Sequence, residues 1–109
     1  MLKHDFGIMP EIPVRHKRYD DYEPEKYNCI SVDDEYILNI SKNLRVLKCY
    51  WHTLDRPELG LAYYGITLIP PESVLLFLEI ISDKPELNSL ASLLWKAGNS
   101  GRFIIHYGI

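Results

Sequence analysis

At 109 residues the chain carries apolar material for one core but not for two, so a single domain over residues 1–109 is expected. A hydrophobic share of 47% with 25% charged residues is that of a packed globule and excludes wholesale disorder. The formal charge of −3, with 12 basic and 15 acidic side chains interspersed, provides no basic stripe for phosphate and argues against a nucleic-acid partner.

The first residues hold no apolar run long enough for a signal-peptide core. The most apolar stretch, residues 74–81, contains Glu79 and falls far short of the roughly 20 residues that span a bilayer. No secretion and no membrane partner are therefore expected, and the setting read is cytoplasmic. Cys29 and Cys49 lie far apart with no second Cys or His at ligand spacing, which points to two reduced thiols and no metal site.

In chain order, residues 1–26 swing from a basic knot (Arg15, His16, Lys17, Arg18) to an acidic one (Asp20, Asp21, Glu23, Glu25) without a period of 2 or 3.6. They read as an extended arm lying on an α+β core of residues 27–109, pinned by Phe6, Ile8, Ile12, Val14, Tyr19 and Tyr22, with a disordered tail as the alternative. Residues 27–32 have strand composition. Asp33 then suits an N-cap, and Asp34 and Glu35 suit the positive end of a helix dipole, which accounts for the acidic triplet without any function. Ile37, Ile40, Leu44 and Leu47 continue at helical spacing, so a helix over 34–47 is expected.

Residues 49–54 and 60–69 read as two strands of a hairpin turning through Asp55, Arg56, Pro57, Glu58 and Leu59. Pro70 and Pro71 open a helix to about residue 82 that is apolar nearly all round and is expected to be enclosed on every side, with Leu76 and Phe77 intolerant of charge. An amphipathic helix on Leu87, Leu90, Ala91, Leu94 and Ala97 ends at Gly98–Gly101, and residues 102–109 close the chain as a buried strand. The order β-α-β-β-α-α-β implies an α+β fold. It is read as a single mixed or antiparallel sheet of about four strands, with about three helices mainly on one face.

Chemistry-bearing residues are sparse. His52, Asp55 and Arg56 fall at or beyond a strand end and His106 lies on the terminal strand, so a small enzyme using His52 and His106 as an acid–base pair is conceivable if those strands are neighbours. Against it, a strand histidine is more often a hydrogen-bonded rim residue, and residues 55–58 are explained by turn chemistry and an Arg–Glu surface pair. Eight tyrosines are more than such a chain needs, and Tyr19, Tyr22, Trp51, Tyr63 and Tyr64 are candidate partner-binding residues. The alternative is that they seat the arm on the sheet. No phosphate loop, nucleophile elbow, zinc-protease helix or paired Cys motif is present, and no cofactor is expected.

The segment Gly60-Leu-Ala-Tyr-Tyr-Gly-Ile-Thr-Leu-Ile-Pro-Pro-Glu-Ser73, with the closing Ile105-His-Tyr-Gly-Ile109, resembles a group of short bacterial proteins of uncharacterised function from Tyr19 onward. The resemblance implies a bacterial, cytoplasmic setting and carries no activity. The reading that follows is a small cytoplasmic protein-binding module, immunity-like or a regulatory inhibitor. The alternatives are a structural homo-oligomer without catalysis and the enzyme just described.

Overall fold

In a computed structural model that describes residues 2–109, the chain forms six strands and four helices. They are β1 Lys3–Ile8, β2 Ile30–Asp33, α1 Asp34–Leu38, α2 Ser41–Leu44, β3 Lys48–Trp51, β4 Pro57–Leu59, β5 Ile66–Ile69, α3 Pro71–Ile81, α4 Asn88–Asn99 and β6 Ile104–Tyr107, with a 3-10 turn at Pro85–Leu87. The strands make one sheet in the order β2-β1-β6-β5-β3-β4, and every pairing is antiparallel. The Cα radius of gyration, 12.4 Å, matches one compact body of this length, for which about 13 Å per 100 residues is usual. No helix is long and apolar enough to cross a membrane among the described residues.

The α+β class and the antiparallel sheet agree with the sequence reading, but the sheet is wider than expected, with six strands. The largest correction is at the N-terminus. Residues 3–8 are not part of an arm outside the core: β1 sits between β2 and β6, and Phe6 is fully buried. Residues 9–29 do lie over the sheet, where Met9, Tyr27 and Tyr19 pack on Ile66, Leu68, Ile105 and Tyr107. Ile12 and Val14, expected to pin this segment, are exposed at 77% and 60%, while Tyr22 does hold it, with its ring edge to face on Tyr107 at 5.1 Å and its hydroxyl on Asp5. The segment is fixed further by polar links such as Met9 N–H to the Phe103 carbonyl (2.9 Å), Tyr19 N–H to the His52 carbonyl (2.6 Å) and Arg102 to the Pro10 carbonyl (2.7 Å).

The opposite face of the sheet carries the helices. Strand alternation puts Ile30, Phe6, His106, Thr67 and Trp51 in one row across five strands, with Ile8, Ile104 and Ile69 in a neighbouring row. Phe6 meets Phe77 of α3 edge to face at 5.9 Å, and Leu90, Leu94 and Ala97 of α4 complete the main core. The helix expected over 34–47 is broken into α1 and α2 at Asn39 and Ile40, where Ile40 leaves helical geometry at φ −117°, ψ 6°. Ser41 Oγ turns back to donate to the Leu38 carbonyl (3.0 Å), the local competition with helix bonding that Ser and Asn introduce. Asp33 makes no capping bond; its carboxylate lies 3.7 Å from Lys3 on β1.

The hairpin also differs from expectation. His52 takes a left-handed φ of 64° and Asp55 N–H bonds Thr53 Oγ1 (3.3 Å), so the chain reverses at once into β4, which pairs Pro57 with Tyr50. Gly60, at φ 81°, then takes the chain out of the sheet, and β5 returns along the other edge of β3. Helix α3 is not enclosed on all sides: Ser73, Val74, Phe77 and Ile81 are buried, whereas Leu75 and Leu76 are 48% and 37% exposed.

That pattern replaces the expectation that a charge at Leu76 unfolds the domain. Phe77→Ala is expected to cost about 3–5 kcal/mol by removing a fully buried ring, and Leu76→Gln less than about 1 kcal/mol. Urea denaturation of both variants checks the contrast.

Candidate functional site

Two polar side chains of β1, Thr67 of β5, His106 of β6 and Asp34 of α1 occupy positions where a sheet interior normally holds apolar residues. On the helix face, His4 Nδ1 lies 2.9 Å from His106 Nε2 and His4 Nε2 lies 2.9 Å from Asp34 Oδ1. His106 Nδ1 lies 3.0 Å from Thr67 Oγ1, which accepts Ala62 N–H at 2.8 Å, and Tyr63 O–H donates to Asp34 Oδ2 at 2.8 Å. Both imidazoles are fully buried and stack at 5.1 Å between centroids. On the opposite face, Asp5 is held by Tyr22 O–H and Ser31 O–H, each at 2.5 Å.

The ionised Asp34 can only accept, so His4 Nε2 carries a hydrogen. With both imidazoles neutral, a single arrangement makes every contact a hydrogen bond. Thr67 O–H donates to His106 Nδ1, His106 Nε2–H donates to His4 Nδ1, and His4 Nε2–H donates to Asp34. An extra proton on His4 Nδ1 reverses the line and leaves the Thr67 hydroxyl hydrogen without an acceptor among the described residues.

The burial of His106 agrees with this arrangement, whereas the Coulombic effect of His4 on its neighbours acts only when His4 is protonated. Burial, and then the nearby His4, hold His106 well below the usual imidazole range. Burial works to raise Asp34, but the hydrogen bonds from His4 and Tyr63 and the attraction of His4 together leave its carboxyl below the usual range. Tyr63 is pushed up to about 12, first by its bond to Asp34.

Next to this line of bonds is a cavity of about 600 Å³, within the size range of ligand sites. The buried His4 ring, Ile37 and Leu44 form its floor, Trp51, Leu61 and Tyr63 its wall, and Ser41, Lys42, Arg45 and Leu59 its rim. Trp51 is fixed by donating Nε1–H to the Gly60 carbonyl (3.0 Å). Tyr63 is held from behind: its carbonyl accepts Ile109 N–H (3.0 Å), and Gly108 runs so close beneath that a Cβ there would lie 2.1 Å from the same oxygen. Among the described residues, no carboxylate lines the cavity. Lys and Arg ion pairs among the described residues involve Lys3, Arg18, Lys26, Arg56 and Lys84, and neither Lys42 nor Arg45.

The residues singled out from the sequence do not form one site. His106 points to the helix face, while His52 lies on the other, with Nδ1 2.8 Å from Asp20 and Nε2 accepting Ile66 N–H at 3.4 Å. The sheet separates them, so they do not make an acid–base pair. Asp55 meets His16 (2.9 Å), and Arg56 pairs with Glu58 (3.0 Å) and covers the Trp51 ring at 5.4 Å, all at the hairpin surface. The aromatic candidates divide in the same way: Trp51 and Tyr63 line the large cavity, and Tyr22 and Tyr64 line a hollow of about 380 Å³ with His52. Tyr19 is spent on the arm, where its hydroxyl accepts Val14 N–H at 3.0 Å.

His4, Asp34, Thr67, Lys42 and Arg45 were not among the sequence candidates. The alternation His4-Phe6-Ile8 was the available signal for a buried histidine on a strand. Cys29 and Cys49 sit in separate clusters on the two faces, both free, with burial pushing each thiol up to about 12. Comparison of the chain with family models, curated proteins and solved structures finds no match, so the functional reading rests on this geometry.

Two outcomes test the line of bonds. Thr67→Val keeps the shape but strips partners from buried His106 Nδ1 and Ala62 N–H, and is expected to cost about 1–3 kcal/mol in urea denaturation. Because the folded state holds His106 below its unfolded value of about 6.5, the unfolded chain binds the extra proton first as pH falls. Stability therefore falls below about pH 6.5, by up to about 1.4 kcal/mol per pH unit, until the folded-state value is reached. Melting temperatures from pH 8 to 5 should decline accordingly, and His106→Gln should flatten the decline.

Proposed function

We propose that this chain is a small protein-binding module, an immunity-like protein or regulatory inhibitor, that works by recognition and not by turnover. One observation carries the reading. The large cavity has a largely apolar floor and two cations at its rim that make no ion pair among the described residues, yet both nitrogens of the His4 ring that faces it are engaged within the chain. A catalytic His must reach a substrate proton, and both nitrogens of His4 and of His106 are already engaged within the chain. What is left free is the equipment of recognition: Arg45 at the rim and the Trp51 ring in the wall, residue types enriched where interfaces carry their energy.

The surroundings support the same reading. Leu59 is 60% exposed on β4, a short strand at the open edge of the sheet, and Leu38 and Val46, beside the cavity residues in sequence, are 50% and 58% exposed. A protein partner covering this corner would bury them together with the cavity mouth.

The test is affinity capture from cell lysate with three folded baits: the native chain, Arg45→Glu and Leu59→Asp. The native bait is expected to retain one saturable partner that both variants lose, with unchanged circular dichroism and melting. A partner held equally by all three baits, or no saturable partner on the folded native bait, overturns the reading.

A further inference from the structure

The cavity's lining specifies more than a place to bind. Its floor and wall are apolar or aromatic, with Ile37, Leu44, Trp51 and Leu61 enclosing a body from several sides, and Trp51 held in position through its bond to Gly60. Tyr63 adds no free donor, since its hydroxyl already serves Asp34, and the Asp34 oxygens are taken by Tyr63 and His4. The unspent polar groups are on one side only. Lys42 on α2 and Arg45 at its C-cap are three apart, a spacing that puts them on one face, whereas the Ser41 hydroxyl is already spent on the Leu38 carbonyl. In a chain of net charge −3, a cavity with two cations and no carboxylate stands out against the surrounding charge.

We infer that the cavity takes a carboxylate joined to an apolar, preferably aromatic, body. The body stacks against Trp51 over the apolar floor, and Arg45 and Lys42 hold the head. Arg offers carboxylate a fork of two parallel N–H donors, and hydrogen bonds to charged groups are the stronger kind. The inference rests on the recognition reading for the location of the site and adds the chemistry of the occupant. The same chemistry can arrive as the end or side chain of a partner protein or as a free arylalkanoate.

Trp51 is the built-in reporter. The chain has two tryptophans, and the other, Trp95, is 62% exposed on α4 and does not line the cavity. In Trp95→Phe, emission comes from Trp51 alone, and titrations would use phenylbutyrate, its neutral isostere phenylbutanol, acetyl-glycyl-phenylalanine and the amide of that peptide. The acids are expected to change Trp51 emission saturably and at least tenfold more tightly than the alcohol or the amide. Adding Arg45→Gln should weaken the acids about tenfold and leave phenylbutanol unchanged, a selective loss that a structural role for Arg45 would not produce. Tighter binding of the peptide acid assigns the source to a chain end, and tighter binding of phenylbutyrate assigns it to a small molecule.

Equal binding of acid and alcohol, or no saturable change with any probe, overturns the inference. The two proposals fail separately. Loss of a captured protein by Arg45→Glu without carboxylate binding leaves recognition standing and removes the carboxylate. Carboxylate binding without an Arg45-dependent protein partner does the reverse.

Discussion

The pairing of His4 with His106 is the contact on which the rest of the structure depends. It joins neighbouring central strands, β1 and β6, from opposite ends of the chain, and its two outer nitrogens extend it to Thr67 on β5 and Asp34 on α1. Buried polar groups without partners cost on the order of 1–3 kcal/mol each, so these side chains are tolerable in the core only together and only in this register. A one-residue slip of β1 would turn His4 and Phe6 to the other face and leave His106 and Asp34 unserved. An apolar core here could be as stable; what the polar line supplies is a reason for β1 to sit in one place.

From that constraint the corner of the fold beside it follows. Asp34, bonded to His4, lies at the start of α1 directly after β2 and holds Tyr63 of the loop between β4 and β5. The break at Ile40 then separates α2 from α1 and lets it pack beside α3, and Gly60 leads the chain away from β4. Between these two departures from regular structure lies the cavity. Behind its largely apolar floor the polar side chains are already satisfied within the chain, while Lys42 and Arg45 at its rim make no ion pair among the described residues.

How far the sequence could be read depended on whether a signal was local. Helices α3 and α4 were legible because Pro71 and the residues after Ala97 mark their ends and their apolar positions repeat at helical spacing, and the strand at β6 was legible from its run of bulky residues. Strand β1 was not, since His4 and Asp5 make Lys3–Ile8 look polar until their partners on residues 22, 31, 34 and 106 are known. Asp34 looked like a helix-start charge for the same reason. The apolar character of α3 was overread: Leu75 and Leu76 lie on its open side, and composition alone does not say how many sides of a helix are covered. Lys42 and Arg45 read as cations toward the C-terminal end of a helix, where the dipole favours them, because a charge without a partner is visible only once the fold shows what surrounds it.

The most direct test is the protonation pattern of the two buried rings, observed by long-range proton–nitrogen NMR of histidine-labelled protein at neutral pH. Both His4 and His106 should show the hydrogen on Nε2 and a bare, accepting Nδ1, as the single fully bonded neutral line requires. A doubly protonated His4 beside a His106 carrying its hydrogen on Nδ1 would contradict the account. It would mean that the line runs the other way and stores a proton next to the cavity.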